Sequence, residues 1–175
     1  ICKTMGMALI SFGEYFDRTK PDLAIILGDR YEMCAIACAA INFRIPIAHI
    51  YGGETTEGAI DEAFRHAITK MSYLHFTSTE EYRKRVIQLG EAPERVYNVG
   101  STGIENIKDI NLLTKDELVE TLGFNLRDNY AVGTYHPVTF NTKSIKEAYE
   151  LMEACICIKD IDFLFTKANA DAEGK

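Results

Sequence analysis

The stretch LAIILGDRYEMCAIACAAINFRIPIAHI, Leu23 to Ile50, decides the fold. Its first five residues, Leu23–Leu27, are a solid apolar run behind Pro21-Asp22. That length suits a strand, and an unbroken apolar strand is one covered on both faces. Gly28-Asp29-Arg30 ends the run. Tyr31–Asn42 then shows helical spacing with many alanines, and Ile45–Ile50 is a second apolar run. Strand, helix, strand predicts two parallel strands joined by a crossover helix.

The same unit repeats downstream. The pattern predicts helices over Asp61–Met71, Thr79–Leu89, Thr114–Leu122 and Ser144–Ile158. Between and after them it predicts strands over Tyr73–Phe76, Arg95–Val99, Tyr130–Tyr135 and Ile161–Thr166. Thr79 and Thr114 stand where helix N-caps belong, and Glu117 completes a capping box with Thr114. Upstream, Met5, Met7, Ala8, Ile10, Phe12, Tyr15 and Phe16 mark an amphipathic helix. The expected class is α/β with a doubly wound parallel sheet. The polar stretch Ile107–Asn129 reads as a hinge, which sets a first domain over 1–110, a linker over 111–128 and a second domain over 129–175. A surface excursion within one sheet is the alternative.

Composition agrees with a globular chain: 47% of the 175 residues are hydrophobic and 26% charged. The formal net charge of −7 and the absence of a basic cluster argue against nucleic acid as a partner. No run approaches the roughly 20 apolar residues of a membrane span. Cys2, Cys34, Cys38, Cys155 and Cys157 are odd in number and lie in or near apolar runs, which reads as reduced thiols and a cytoplasmic protein. No zinc-type spacing accompanies them. The chain opens at Ile1 inside a helical pattern and closes soon after a strand, so a fragment is expected.

Ligands of open parallel sheets bind beyond the carboxyl ends of the strands. Those ends carry Gly28-Asp29-Arg30, Tyr51-Gly52-Gly53-Glu54, Thr77-Ser78-Thr79, Gly100-Ser101-Thr102-Gly103, His136-Pro137-Val138-Thr139 and Lys167-Ala168-Asn169-Ala170-Asp171. Small residues before a helix suit phosphate, although each loop alone also reads as a plain turn. The densest group is Glu54, Glu57, Asp61, Glu62, Arg65 and His66. Asp61 and Arg65, and Glu62 and His66, are i,i+4 pairs. Crowded carboxylates suit acid–base chemistry; a solvated helix start is the structural alternative. His49 and His75 lie inside strands and read as structural. His66 and His136 are the better functional candidates, and Arg30 and Lys167 the candidate diphosphate cations, with a plain surface charge as the alternative for either.

Gly28-Asp29-Arg30-Tyr31-Glu32-Met33, then Ile47-Ala48-His49-Ile50-Tyr51-Gly52-Gly53-Glu54, then Thr56-Glu57-Gly58-Ala59-Ile60-Asp61-Glu62 with Arg65-His66-Ala67-Ile68-Thr69-Lys70, resemble the hydrolysing UDP-N-acetylglucosamine 2-epimerases of the sialic- and legionaminic-acid branch. The likeness runs from about Pro21 to Asp171. It implies two Rossmann-like domains facing a cleft, as in GT-B glycosyltransferases, with flanking segments outside this chain and little activity in the chain alone. It implies elimination of UDP from a UDP-sugar and addition of water, with neither metal nor redox cofactor, in a homodimer or tetramer. Carried onto this sequence, it makes Asp29, Glu54, Asp61, Glu62 and His136 catalytic. It places Arg30, Gly52, Gly53, Arg65, His66, Ser101 and Lys167 at the substrate, with the alternative that Arg65 and His66 only position the carboxylates. Tyr51 departs from the pattern, since several relatives carry an acid there. That leaves open a UDP-2,4-diacetamido-trideoxy sugar as the substrate; a GT-B glycosyltransferase, which would depend on an acceptor, is the other alternative.

Overall fold

The computed structural model describes residues 1–136 and 144–167. They fall into two compact units, Ile1–Asn106 and Ile107–Lys175. In the first, helix α1 (Cys2–Thr19) precedes β1 (Ala24–Leu27), α2 (Tyr31–Asn42), β2 (Ile47–Ile50), α3 (Asp61–Met71), β3 (Leu74–Thr77), α4 (Glu80–Gln88) and β4 (Val96–Asn98). The four strands are parallel in the order β1-β2-β3-β4, with Ile26 beside His49 and His49 beside His75. The α/β reading with crossover helices therefore holds.

The core sits on the face of the sheet that carries Ile26 and Ile47. Phe16 of α1, the small residues Ala37, Ala39 and Ala40 of α2, and Ile68 of α3 pack there with almost no exposure. Alanine on α2 lets the helices approach the sheet and each other closely. Ile25 and Leu27, on the opposite face of the edge strand β1, are exposed at 69% and 55%. The solid apolar run at Leu23–Leu27 is thus half covered in these residues. β2 starts two residues later than the apolar run suggests. Ile45 N–H still bonds back to Ala40, and Pro46 brings no N–H to the ladder, though its carbonyl accepts from Ala24.

A helix that the pattern does not predict, α5 (Thr102–Asp109), follows β4 and spans the division between the units. Ile104 and Ile107 stand at helical spacing and are 57% and 59% exposed, but the helix is only eight residues long and carries Gly103 in its first turn, too short a stretch to read alone. In the second unit α6 (Lys115–Leu122) begins with the Thr114–Glu117 capping box and ends at Gly123 in the left-handed region. There β5 (Tyr130–Gly133) pairs in parallel with β6 (Asp162–Phe165), and α7 (Ser144–Cys157) lies between them in sequence. Arg127 ties the unit together through both carboxylate oxygens of Asp162. Among the described residues no helix is long and apolar enough to cross a membrane.

His75 is fully buried, and its Nε2 lies 3.2 Å from Glu91 Oε2, while Lys70 Nζ pairs with the other oxygen. Burial pushes the Glu91 carboxyl up, but Lys70 and His75 outweigh it and hold it below the usual value. The cluster pins the end of α3 and the α4–β4 connection to β3. Glu91→Ala should destabilise the protein by about 2 kcal/mol, modest for a buried pair because Lys70 is half exposed. Glu91 has a lowered native pKa, so its contribution is present above its unfolded value of 4.5 and lost as pH falls through the native one. Denaturation curves should converge for parent and variant below that window.

Candidate functional site

Arg65 is the hub of the carboxyl edge. It projects from the second turn of α3 and is only 3% exposed. Its Nη1 donates to Glu54 O at 2.8 Å and to Glu62 Oε2 at 3.0 Å. Its Nη2 donates to Asp29 Oδ2 and, at 2.9 Å, to Thr56 Oγ1. The fork-shaped guanidinium thus gathers the ends of β1 and β2 onto the start of α3. Of the two readings of Arg65, substrate contact and positioner of the carboxylates, its Nη donors fit the second: they face into the protein and hold Asp29 and Glu62.

Glu62 is held on both oxygens. Oε2 accepts from the Thr56 N–H at 2.7 Å as well as from Arg65, and Oε1 lies 3.2 Å from His66 Nε2. Partial burial raises its pKa, but the Thr56 N–H, His66 and Arg65 outweigh that and lower it overall. Glu62 is therefore a fixed anion at neutral pH. Glu54 turns its side chain the other way, where Ser78 Oγ donates to Oε1 at 2.7 Å. Asp61 opens α3, half-buried, one residue before Glu62. Arg30 faces Glu32 at 2.8 Å and stands over the Tyr31 ring. Thr56 and Ser78 stand in the quoted motif and strand-end strings, but nothing in the sequence assigns a partner to a hydroxyl in a turn.

The two glycines have packing reasons. A Cβ on Gly52 would come within 3.0 Å of His49 Nδ1 and 3.1 Å of Thr69 Oγ1. A Cβ on Gly53, where φ is +81°, would meet the Tyr82 carbonyl oxygen at 2.4 Å. That close approach also brings Arg85 Nη1 to the Gly53 carbonyl at 2.5 Å. Before them Tyr51 takes the left-handed region with φ 69°, uncommon for a bulky residue. It reaches across the end of β3 to the start of α5, where its phenolic oxygen accepts from the Thr102 N–H at 2.8 Å and meets Thr102 Oγ1. Hydrogen bonds from Thr102 and Ser101 lower the Tyr51 pKa. Ser101, which the resemblance places at the substrate, thus stands beside this phenol.

His136 and Lys167 follow β5 and β6 in the second unit, both exposed. Pro137, Val138 and Thr139 of the histidine's motif, and Ala168–Asp171 after Lys167, lie outside the described residues. All five cysteines are free thiols, and burial pushes Cys34 up to about 11. Among the described residues no cluster of three or more His, Cys, Asp or Glu is arranged to hold a metal ion.

A parallel α/β sheet with crossover helices, its polar residues gathered at the carboxyl edge, defines a Rossmann-like domain. The chain belongs to the UDP-N-acetylglucosamine 2-epimerase family, whose model matches residues 1–175. It is 45% identical over 175 residues to a GDP/UDP-N,N'-diacetylbacillosamine 2-epimerase (hydrolyzing) of Campylobacter jejuni, covering 99% of this chain and 46% of that protein. It is 47% identical over 173 residues to the polysialic acid biosynthesis protein P7 of Escherichia coli, covering 98% and 44%. The chain thus spans less than half the length of these relatives. The crystal structure of the Neisseria meningitidis UDP-GlcNAc 2-epimerase bound to UDP-GlcNAc superposes with a TM-score of 0.77 at 18% identity, covering 95% of this chain and 48% of that one. At that identity the likeness is one of fold, and the fold is that of the GT-B-like UDP-GlcNAc 2-epimerases.

Arg65→Met leaves Asp29 and Glu62 without their shared cation and should cost about 3 kcal/mol of stability, the low end for a broken buried pair because both carboxylates are partly exposed. Arg65→Lys keeps the charge but cannot match four acceptors, and should cost ~2 kcal/mol. Glu62 has a lowered native pKa, so the loss in Arg65→Met should be largest above pH 4.5 and shrink as pH falls through the native value. Chemical denaturation across that range checks both statements.

Proposed function

We propose that the whole protein is a hydrolysing 2-epimerase of a UDP-activated 2-acetamido sugar, converting UDP-N-acetylglucosamine to UDP and N-acetylmannosamine. The observation that carries this reading is the Arg65-bound cluster: several carboxyl groups held in fixed, different environments beside small-residue strand ends. In the reaction a base takes the proton from sugar C2 as the C1–O bond to UDP breaks, leaving a C1=C2 double bond. Water then adds its hydroxyl to C1 and a proton to C2. C2–H is a weak acid, so the base must be held against it and water excluded until the second step.

The residues divide this work by environment. Glu62, held on both oxygens as an anion, orders the pocket and stabilises positive charge. Asp29, Glu54 and Asp61 are the acid–base groups on the sugar. Arg30 and Ser101 serve the departing diphosphate, whose negative charge needs cations and N–H or O–H donors; His136 and Lys167, at strand ends of the second unit, are assigned to the substrate by the family resemblance alone. The first unit is then the carboxyl-terminal part of one Rossmann-like domain and the second the start of another that binds nucleotide. A cytoplasmic location belongs to the same proposal, supported by the free thiols, and a homodimer or homotetramer belongs to it by the family resemblance alone.

A second reading changes only the sugar. The Campylobacter jejuni relative, matched along almost the whole chain, is named for N,N'-diacetylbacillosamine. Tyr51 supports it from inside the site, because a phenol stands where an acid is expected. A UDP-2,4-diacetamido-trideoxy sugar is the substrate on that reading.

One experiment separates these possibilities. The whole protein is incubated with each UDP-sugar in heavy water, and the products are weighed by mass spectrometry. Free UDP and one deuterium at C2 of the released sugar are expected, and the faster substrate identifies the branch. Turnover that requires a sugar acceptor would instead mean a glycosyltransferase. Asp61→Asn should lower turnover by about two orders of magnitude or more with the fold kept; unchanged turnover would remove Asp61 from the chemistry.

A further inference from the structure

We infer that His49, in the middle of the sheet, is a positioning residue that holds both halves of the Asp29–Arg65 pair from behind. The inference rests on the reading that Asp29 acts on the substrate. His49 is fully buried on β2, on the covered face of the sheet. Its Nε2 lies 2.8 Å from the Gly28 carbonyl, and its Nδ1 lies 3.2 Å from Thr69 Oγ1. Thr69 Oγ1 in turn lies 3.0 Å from the Arg65 carbonyl, one turn back along α3. One imidazole thus reaches the residue before Asp29 on one side and the backbone of Arg65 on the other.

Elementary hydrogen-bond chemistry sets the tautomer. A carbonyl oxygen only accepts, so Nε2 carries the proton toward Gly28. Burial pushes the pKa of His49 down to about 4, which keeps the ring neutral and leaves Nδ1 as an acceptor. The Thr69 hydroxyl then shares its one proton between Nδ1 and the Arg65 carbonyl.

Gly28 shows what the first contact does. Its φ is +77°, its N–H bonds to Ile50 O at 2.9 Å, and its carbonyl bonds to His49. The residue before Asp29 is pinned through both its amide and its carbonyl, so the carboxylate leaves the strand in one direction. Gly52 closes over the same histidine, because any Cβ there would press on Nδ1 and Thr69. The first glycine of the pair is therefore the space His49 needs. A site held to within fractions of an ångström needs such a supporting layer behind it.

The test uses the whole protein with His49→Asn and His49→Gln. Asparagine is too short to reach Gly28, whereas the glutamine amide can place an N–H near the position of Nε2. His49→Asn should lower kcat roughly tenfold or more, with KM changed by less than about threefold, as expected when groups are misplaced rather than removed. His49→Gln should recover kcat to within about threefold of the parent. In the parent, nitrogen NMR should find His49 as the neutral Nε2–H tautomer at pH 7. An Nδ1–H or charged ring, an active His49→Asn protein with parental kcat, or a glutamine variant no better than asparagine would each overturn the inference. If either variant fails to fold, the tautomer still decides. If the parent turns over no UDP-sugar, the proposed reaction fails instead, and the tautomer is still read on the resting protein.

Discussion

The site depends on one buried cation. Arg65 is nearly inaccessible to water, and four acceptors on three different segments close around it. A buried guanidinium is tolerable only when its charge and its donors are matched, so the fold must deliver Asp29, Glu62, Thr56 and the Glu54 carbonyl together. Arg65 makes the carboxyl edge a single object: β1, the glycine turn after β2 and the head of α3 cannot move independently without stripping a partner from it.

The glycine turn is shaped by the same demand for closeness. Gly53 lies against the backbone of α4, and Gly52 lies against His49 and Thr69. A side chain at either position would push the turn outward, and the Glu54 carbonyl would leave Arg65. Tyr51 takes the unusual backbone conformation in front of them, and the phenol's anchorage at α5 offsets that cost. Strain, close packing and charge pairing thus fall within a few residues of one another, which is typical of places where local rules yield to function.

Much of this could be read in advance. The alternation of apolar runs and helical patterns identified the parallel strands, the buried histidines and the caps at Thr79 and Thr114, because each depends on residues next to one another in the chain. The acidic group around α3 was visible from its spacing, and the Glu62–His66 contact appeared where i,i+4 geometry puts it. The α5 helix escaped that reading because it is only eight residues long, with Gly103 in its first turn, and two isoleucines three apart are too few to establish a period.

By itself the sequence determined the class of fold, the edge of the sheet that bears the polar residues, and the family, since these follow from local pattern and from an uncommon string of residues. Only the tertiary structure decided what each polar group does. It turned Arg65 inward, aimed Glu54 at Ser78, put Tyr51 on α5 and set His49 behind Asp29. Partners such as Asp29 and Arg65 lie 36 residues apart, and no periodicity connects side chains that meet only because separate strands end side by side.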